Sequence, residues 1–204
     1  QIFLGSYLGD GGIQKLKSNR YRLRFLHCEK QKNYCQWKGN MFNIEKLTLI
    51  KENGYSKKPA YRCCTKIIDY DISIPKKKGY CGQEILNRLD LRGLSIWIMD
   101  DGTYGNKGNC FIIHSNTFDK QTHENFKKYF KEKYNIECSY KIAKKKYYYL
   151  YFDKKNTQEL LKLIEKYIHV DFLYKIGLDK DVRKDIYKWN NNFLEYGYGK
   201  ISKI

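Results

Sequence analysis

Two aspartates that close similar apolar segments are the first candidates for chemistry in this sequence. The segments are FLGSYLGDG at residues 3–11 and LSIWIMDDG at residues 94–102, so Asp10 and Asp101 hold matching positions about half the chain apart. Carboxylates are hard oxygen ligands of the kind that Mg²⁺ binds. If the fold brings the two segments together, this pair predicts chemistry that depends on a divalent cation.

The residues that follow each segment repeat as well. A short polar turn and a strand come next in both places, with YRLRF at residues 21–25 and CFIIH at residues 110–114. The chain is therefore predicted to contain two copies of one unit. A solenoid is not indicated, because its repeats would be shorter than half of this chain. We place the halves at residues 1–79 and 80–204, joined by the basic, glycine-containing stretch at residues 76–79.

The elements that must position the aspartates have distinct sequence patterns. Residues 20–25 alternate between basic and apolar side chains, which puts Arg20, Arg22 and Arg24 on one face of a strand. The spacing elsewhere predicts helices at residues 33–50, 120–133 and 157–167, strands at residues 60–68, 136–142 and 147–152, and a helical tail at residues 179–189. Each half then runs helix, two strands, helix, two strands, helix, which is an α+β fold with antiparallel sheets.

The charge balance indicates a polyanionic partner. Lys and Arg total 40 against 22 Asp and Glu, a net charge of +18, and 42% of the residues are hydrophobic. A folded chain with such a cationic excess is typical of nucleic-acid binders, whose affinity falls steeply with salt. No apolar stretch approaches the length of a membrane span, so no membrane partner is expected.

Composition also bears on cofactors and compartment. The seven cysteines contain no C-x₂-C pair, which favours free thiols in a reducing compartment over structural zinc or disulfides. Residues 96–101 resemble a Walker B strand, but no G-x-x-x-x-G-K-[ST] motif exists to bind phosphate. High Lys, Tyr, Asn and Ile content fits an AT-rich genome, which favours a mitochondrion or another organelle, with a low-GC bacterial cytoplasm as the alternative. The chain starts at Gln1 instead of Met, which leaves open whether a segment precedes it.

Together, the two segments and the residues after them resemble the LAGLIDADG homing endonucleases in their single-chain form with two motifs. The second motif, LSIWIMDDG, is the more specific, and the likeness extends to residues 25–34, 114–118 and 172–176. The resemblance implies two pseudo-symmetric αββαββα subdomains whose antiparallel sheets form a saddle on double-stranded DNA. It also implies a monomeric enzyme that makes a double-strand break at a long recognition site, as in intron homing.

The composition of the motifs is consistent with this resemblance. Small residues let two helices pack closely, and Gly5 and Gly9 lie on one stripe of the first helix. Close packing would bring Asp10 and Asp101 together at helix C-termini, where the helix dipole disfavours negative charge and bound Mg²⁺ compensates. Ile96 replaces the glycine of the family's name in the second motif, so the closeness of that crossing is open.

Further site residues follow from the resemblance by position. The implied metal site comprises Asp10, Asp101, Gly9 and Asp100. For the Asp100 side chain, the expectation is a helix-end carboxylate in solvent, with direct metal binding as the alternative. The implied catalytic set comprises Asp10, Asp101, Lys78, Lys175, His27 and Asn116.

The expected DNA contacts are basic side chains on strands or strand tips. They are Arg20, Arg22, Arg24, Arg62, Lys66, Lys141, Lys144 and Lys146. A different function stays open at this stage, namely a non-cleaving maturase that binds intron RNA and assists group I intron splicing. The two aspartates favour cleavage, because a pure binder has no need of carboxylates that repel nucleic acid.

Overall fold

The computed structural model describes residues 1–17, 20–51, 58–70, 73–75, 79–105 and 109–177. Within them the chain forms two copies of one helix-and-sheet unit, which confirms the predicted fold class. The predicted connector at residues 76–78, including Lys78, and the predicted tail at residues 179–189 lie outside the described residues. The boundary between the halves at residue 79 therefore stays a prediction.

The first half contains a five-stranded antiparallel sheet. Its elements are helix α1 (Ile2–Leu8), strands β1 (Gly12–Lys15) and β2 (Arg20–Cys28), helix α2 (Lys32–Asn40), and strands β3 (Thr48–Ile50), β4 (Ala60–Cys64) and β5 (Ile68–Asp69). The order across the sheet is β1-β2-β4-β3, and β5 pairs with the start of β2. Along β2 exposed and buried residues alternate, so Tyr21, Leu23 and Phe25 enter the core as predicted.

The second half repeats this arrangement with four strands. Its elements are helices α3 (Gln83–Arg88) and α4 (Leu91–Asp101), strands β6 (Gly102–Gly105) and β7 (Cys110–Ile113), helix α5 (Lys120–Tyr134), strands β8 (Ser139–Ala143) and β9 (Tyr147–Phe152), helix α6 (Lys154–Ile164), and 3₁₀ turns at Glu165–Tyr167 and Val170–Ile176. The strands are antiparallel in the order β6-β7-β9-β8. Phe126, Tyr129 and Phe130 form the buried face of α5, as its spacing predicted.

Helices α1 and α4 pack against each other and join the two halves. A Cβ placed on Gly5 would lie 2.3 Å from the carbonyl oxygen of Gly93 and 2.6 Å from the Cβ of Ile96. A Cβ on Gly9 would lie 2.5 Å from the Cβ of Asp100. The crossing is therefore close despite Ile96, because the facing glycine leaves room for that side chain.

One apolar core runs through both halves. It contains side chains of α1 and α4, the inner faces of both sheets, and Phe172 and Leu173 from the last 3₁₀ turn. All seven cysteines are free thiols, and Cys35, Cys63 and Cys81 are buried in this core. None of the helices in the described part of the chain is long and apolar enough to cross a membrane.

The second helix is shorter than its sequence pattern predicts. It ends at Asn40, and the chain then turns at Asn43, which has a φ of 56°. The Ile44 N–H bonds back to the Gly39 carbonyl at 3.0 Å, which is how helices commonly end when the residue after them adopts the left-handed conformation. Residues 48–50 pair with β4 instead of continuing the helix. The sequence pattern did not distinguish the two outcomes, because a short run of apolar residues is compatible with a helix or a strand.

Other boundaries differ by a few residues. The strand predicted for residues 60–68 stops at Cys64 and resumes as β5, and β8 begins later than predicted. The helix predicted for residues 157–167 begins earlier, at Lys154, because Asp153 caps it by accepting a backbone N–H at 2.9 Å.

Candidate active site

The two motif aspartates stand at the ends of the paired helices. Asp10 lies two residues after α1 and is exposed, whereas Asp101 is the last residue of α4 and is half-buried. Strand β1 begins two residues after Asp10 and β6 directly after Asp101, and the Asp101 carbonyl accepts the His114 backbone N–H at 3.0 Å. Because α1 and α4 cross closely, both helix ends lie in one region of the molecule.

Lys175 reaches this region from the last 3₁₀ turn. Its Nζ donates to the carbonyl oxygens of Met99 at 2.6 Å and Asp100 at 2.9 Å, at the end of α4 where the helix dipole favours a cation. Burial lowers the pKa of Lys175, and the nearby carboxylates of Asp100, Asp10 and Asp101 oppose that shift. The charges of all three carboxylates therefore act on this one ammonium group.

Asp100 is buried, so the expectation that it points into solvent is wrong. Its side chain and that of Lys38 are both 0% exposed, and the Lys38 Nζ lies 3.2 Å from Oδ1 and 3.1 Å from Oδ2. The Tyr34 hydroxyl donates to Oδ1 at 3.0 Å, and the Asp10 N–H donates to Oδ2 at 3.3 Å. The helix crossing directs this side chain at α2 of the first half. Nothing in the sequence patterns singled out Lys38 or Tyr34.

His27 adjoins this ion pair from the inner face of β2. Its Nε2 is 3.4 Å from the Lys38 Nζ, and its Nδ1 is 3.3 Å from the Gln31 Oε1. Burial and the Lys38 charge lower the pKa of His27 to about 3, so the ring is neutral at pH 7. Ligand atoms of Asp10, His27 and Asp100 lie within 4.8 Å of one another, a spacing that a shared cation would require.

The strands after the two motifs can be matched through their pairing. Gly12 pairs with Arg24 in the first sheet, and Gly102 pairs with Ile113 in the second. Gly11 and Gly102 hold the same motif position, and Gly11 precedes Gly12 by one residue. The counterpart of Ile113 is therefore the residue after Arg24, and the later positions follow from this match.

This match makes Ser115, not Asn116, the counterpart of His27. Ser115 is buried like His27, whereas Asn116 is exposed. In the described part of the chain, no hydrogen bond or ion pair joins Asn116 to the carboxylates. His27 contacts the buried ion pair through Lys38, and Asn116 is exposed, so the catalytic roles of both residues stay predictions.

The outward-facing strand position just before His27 and Ser115 differs between the halves. It is Leu26 in the first half, which is 38% exposed, and the exposed His114 in the second. Burial and the Lys175 charge lower the pKa of the His114 side chain, and the His114 backbone N–H donates to the Asp101 carbonyl oxygen. His114 was missed as a site residue, although the strand alternation of CFIIH, aligned on the motif glycines, could have found it.

The basic face predicted for the first sheet is present. Arg20, Arg22 and Arg24 are exposed along β2, and Arg62 on β4 pairs with Leu26 on the same face. A groove of about 390 Å³ lies here, and its lining includes Asp10, Gly12, Arg24, Ile50 and Arg62. The other predicted contacts are exposed as well: Lys66, Lys141, Lys144 and Lys146. A cationic surface thus leads to the first motif aspartate.

Lysines occupy the hairpin tip of the second sheet. Lys144 and Lys145 form the turn between β8 and β9 with φ of 48° and 59°, and the Lys146 N–H bonds to the Ala143 carbonyl at 3.2 Å. Two successive left-handed residues are typical of a type I′ turn, for which Asn-Gly is favoured and lysine is strained. The tip thus presents two successive exposed lysines in a backbone conformation that other residues adopt more easily.

Comparison with known proteins agrees with this geometry. Residues 1–160 match the model of the LAGLIDADG DNA endonuclease family. The chain is 27% identical over 197 residues to the probable intron-encoded endonuclease 1 of Wickerhamomyces canadensis, which covers 86% of this chain and 82% of that protein. It is 29% identical over 198 residues to the cytochrome b mRNA maturase bI2 of Debaryomyces hansenii, covering 87% of this chain and 72% of that protein. A solved structure of the homing endonuclease I-WcaI bound to its DNA recognition sequence has a TM-score of 0.73 at 25% identity, covering 87% of this chain and 84% of that one.

Proposed function

The chain belongs to the LAGLIDADG DNA endonuclease family and is a DNA endonuclease, and we propose that it makes a metal-dependent double-strand break at one long recognition site. The observation that carries the proposal is the location of Asp10 and Asp101 at the ends of two closely packed helices, with Lys175 near both carboxylates. Each aspartate serves one strand of the duplex. Because one chain carries both motifs, we expect the active species to be a monomer that acts in intron homing.

The donor set at this site fits a divalent cation. Asp10 offers an exposed carboxylate in the groove, and Asp101 and the Gly9 carbonyl would supply further hard oxygen donors of the kind Mg²⁺ takes. The Asp100 carboxylate is held by Lys38, so direct metal binding by Asp100 would require that ion pair to open. When bound, such a cation lowers the pKa of water and neutralises charge that develops on the scissile phosphate.

The residues around the site have separate tasks in this proposal. Lys175 is placed to balance the negative charge that accumulates when phosphate meets the carboxylates. The arginine face of the first sheet and the lysines of the second sheet bind the duplex through base edges and phosphates. His114 in the second half and Leu26 in the first make the surroundings of the two aspartates chemically different.

Removal of divalent cations is expected to abolish cleavage without abolishing DNA binding. A bound cation contributes several kcal/mol of transition-state stabilisation, so chelation should slow strand cutting about a thousandfold or more. The check is single-turnover cleavage in EDTA, followed by stepwise return of Mg²⁺, with filter binding measured in parallel. Undiminished cleavage in EDTA would contradict the metal requirement.

Exchanging the hairpin lysines for the residues a type I′ turn prefers is expected to stabilise the fold and weaken DNA binding. Lys144→Asn/Lys145→Gly relieves about 1 kcal/mol or more of backbone strain and lowers the slope of log affinity against log salt by about two. Thermal melts and binding to duplex DNA at several salt concentrations measure both effects. The matched control is Lys128→Gln/Lys162→Gln, on the exposed sides of α5 and α6. If this control lowers the slope of log affinity against log salt by the same amount, the hairpin lysines make no specific contact with DNA.

The decisive experiment on function is cleavage of a randomised DNA library with Mg²⁺, with sequencing of the new ends. We expect one long motif with staggered ends, absent from the Asp10→Asn/Asp101→Asn double variant. Cutting at unrelated sequences, or equal cutting by the double variant, would contradict the proposal.

Intron RNA binding is a second candidate because of the similarity to the D. hansenii maturase. The same basic surface could bind a structured RNA, since phosphate contacts do not depend on the sugar. A chain that gives no cut product with the library but binds group I intron RNA tightly would support the splicing function instead.

A further inference from the structure

Asp100 is a junction between the two halves of the molecule. The residue belongs to α4 of the second half, yet its carboxylate bonds to Lys38, Tyr34 and the Asp10 N–H, all in the first half. The corresponding position in the first motif is Gly9, which has no side chain. The connection is therefore one-sided in a fold that is otherwise pseudo-symmetric.

The ion pair at this junction is wholly buried. The Lys38 Nζ lies 4.7 Å from the ring centroid of Phe25 and 4.8 Å from that of Tyr34, and neither charged side chain is exposed. Taking two charges out of water carries a large desolvation penalty, and apolar residues of similar volume often replace such pairs without loss of stability. Packing alone therefore does not account for a lysine and an aspartate here. A role in holding another residue in position would account for them.

The bond from Asp10 shows what the pair positions. On either side of Asp10, the N–H groups of Gly9 and Gly11 bond back into α1 at 2.9 and 2.7 Å. The Asp10 N–H donates to the Asp100 carboxylate at 3.3 Å, while the Asp10 side chain lines the groove beside the arginines. The backbone from which this side chain projects is thus held from the other half, and Gly9 provides the space for that approach.

We propose that Asp100 is a positioning residue for the cutting of one DNA strand: its carboxylate, neutralised by Lys38, accepts the Asp10 N–H and thereby sets the Asp10 carboxylate in the groove. Because the part that Asp10 takes in cutting belongs to the proposed function, the role of Asp100 rests on that function. Asp101 is held differently, through its carbonyl oxygen and the His114 N–H. Loss of the ion pair should therefore affect the Asp10-dependent strand far more than the other.

The test removes the ion pair as a unit, so that no lone charge stays buried. Lys38→Met/Asp100→Leu replaces both residues by apolar side chains of similar size and removes the acceptor of the Asp10 N–H. Lys38→Met/Asp100→Asn also removes both charges but keeps a side-chain oxygen that can accept this bond. The two variants differ only at residue 100, where asparagine keeps an acceptor oxygen that leucine lacks, so each is the control of the other.

The measurement is single-turnover nicking of each strand of an end-labelled target at saturating Mg²⁺. The Asp10-dependent strand is the one whose cutting is lost in Asp10→Asn. We expect the Leu variant to cut this strand about 10- to 100-fold more slowly, with the other strand and the DNA affinity largely unchanged, because small displacements of a reacting group reduce rates by such factors. The Asn variant should recover most of the lost rate.

Equal slowing of both strands, or the same rates in the Leu and Asn variants, would overturn the proposal, because both results indicate packing and not positioning. Wild-type rates on both strands in the folded Leu variant would overturn it as well. A wild-type chain that cuts neither strand with Mg²⁺ would instead overturn the proposed function. If the Leu variant does not fold, Lys38→Met/Asp100→Ala supplies the same comparison, since alanine also lacks the acceptor.

Discussion

Asp10→Asn and Asp101→Asn are each expected to abolish double-strand cleavage while sparing DNA binding. Asparagine keeps the size of the side chain but removes the charge that attracts a divalent cation. Loss of several kcal/mol of transition-state stabilisation lowers the rate of the affected strand about a thousandfold or more. Strand-resolved single-turnover cleavage measures this loss, and each variant should still nick the strand that its other aspartate serves.

Binding is expected to survive because the basic side chains are separate from the two carboxylates. Arg22 and Arg24 lie exposed on β2, and removing a negative charge beside the phosphates reduces repulsion. Glu159→Gln on the exposed side of α6 is the matched control for loss of a carboxylate and should cut at the wild-type rate. If either aspartate variant makes double-strand breaks at the wild-type rate, the active-site assignment is wrong.

Gly5→Ala is expected to destabilise the whole fold through a single methyl group. That group would lie 2.3 Å from the Gly93 carbonyl oxygen and 2.6 Å from the Ile96 Cβ, well inside van der Waals contact. Neither neighbour is the mobile end of a side chain, so α1 would have to move away from α4. We expect a loss of about 3 kcal/mol or more in the free energy of unfolding, measured by urea denaturation.

Gly12→Ala is the matched control for this substitution. A Cβ on Gly12 would have its nearest neighbour, the Arg24 carbonyl oxygen, at 3.7 Å, which is ordinary contact on an exposed strand. The free energy of unfolding should then change by less than about 0.5 kcal/mol. Equal stability of the two variants would show that the motif helices do not cross as closely as described.

The sequence by itself was sufficient for the family, the fold class and the location of the two motif aspartates at helix ends. Each of these depends on local signals: a nine-residue motif that occurs twice, and the period-two alternation that put Arg20, Arg22 and Arg24 on one face of β2. Such signals can be interpreted without knowing which other elements pack nearby, because the direction of side chains along a strand or helix follows from backbone geometry alone.

Element boundaries and strand register depended on more distant contacts. Residues 48–50 form a strand because β4 is available to pair with them, a partner that their own periodicity does not reveal. The pairing of Gly102 with Ile113 made Ser115 the counterpart of His27 and brought out His114, where position in the family had suggested Asn116. A one-residue difference in register exchanges the inner and outer faces of a strand.

The partner of Asp100 was decided by the tertiary structure alone. In the sequence this residue is an acidic group at a helix end, for which solvent is the usual environment. The close crossing allowed by Gly5 and Gly9 directs it at α2, where Lys38 neutralises it. The sequence determined which residues could do chemistry, whereas long-range packing determined which carboxylate faces the groove and which one is buried, because burial depends on the elements that close over a side chain and not on its own type.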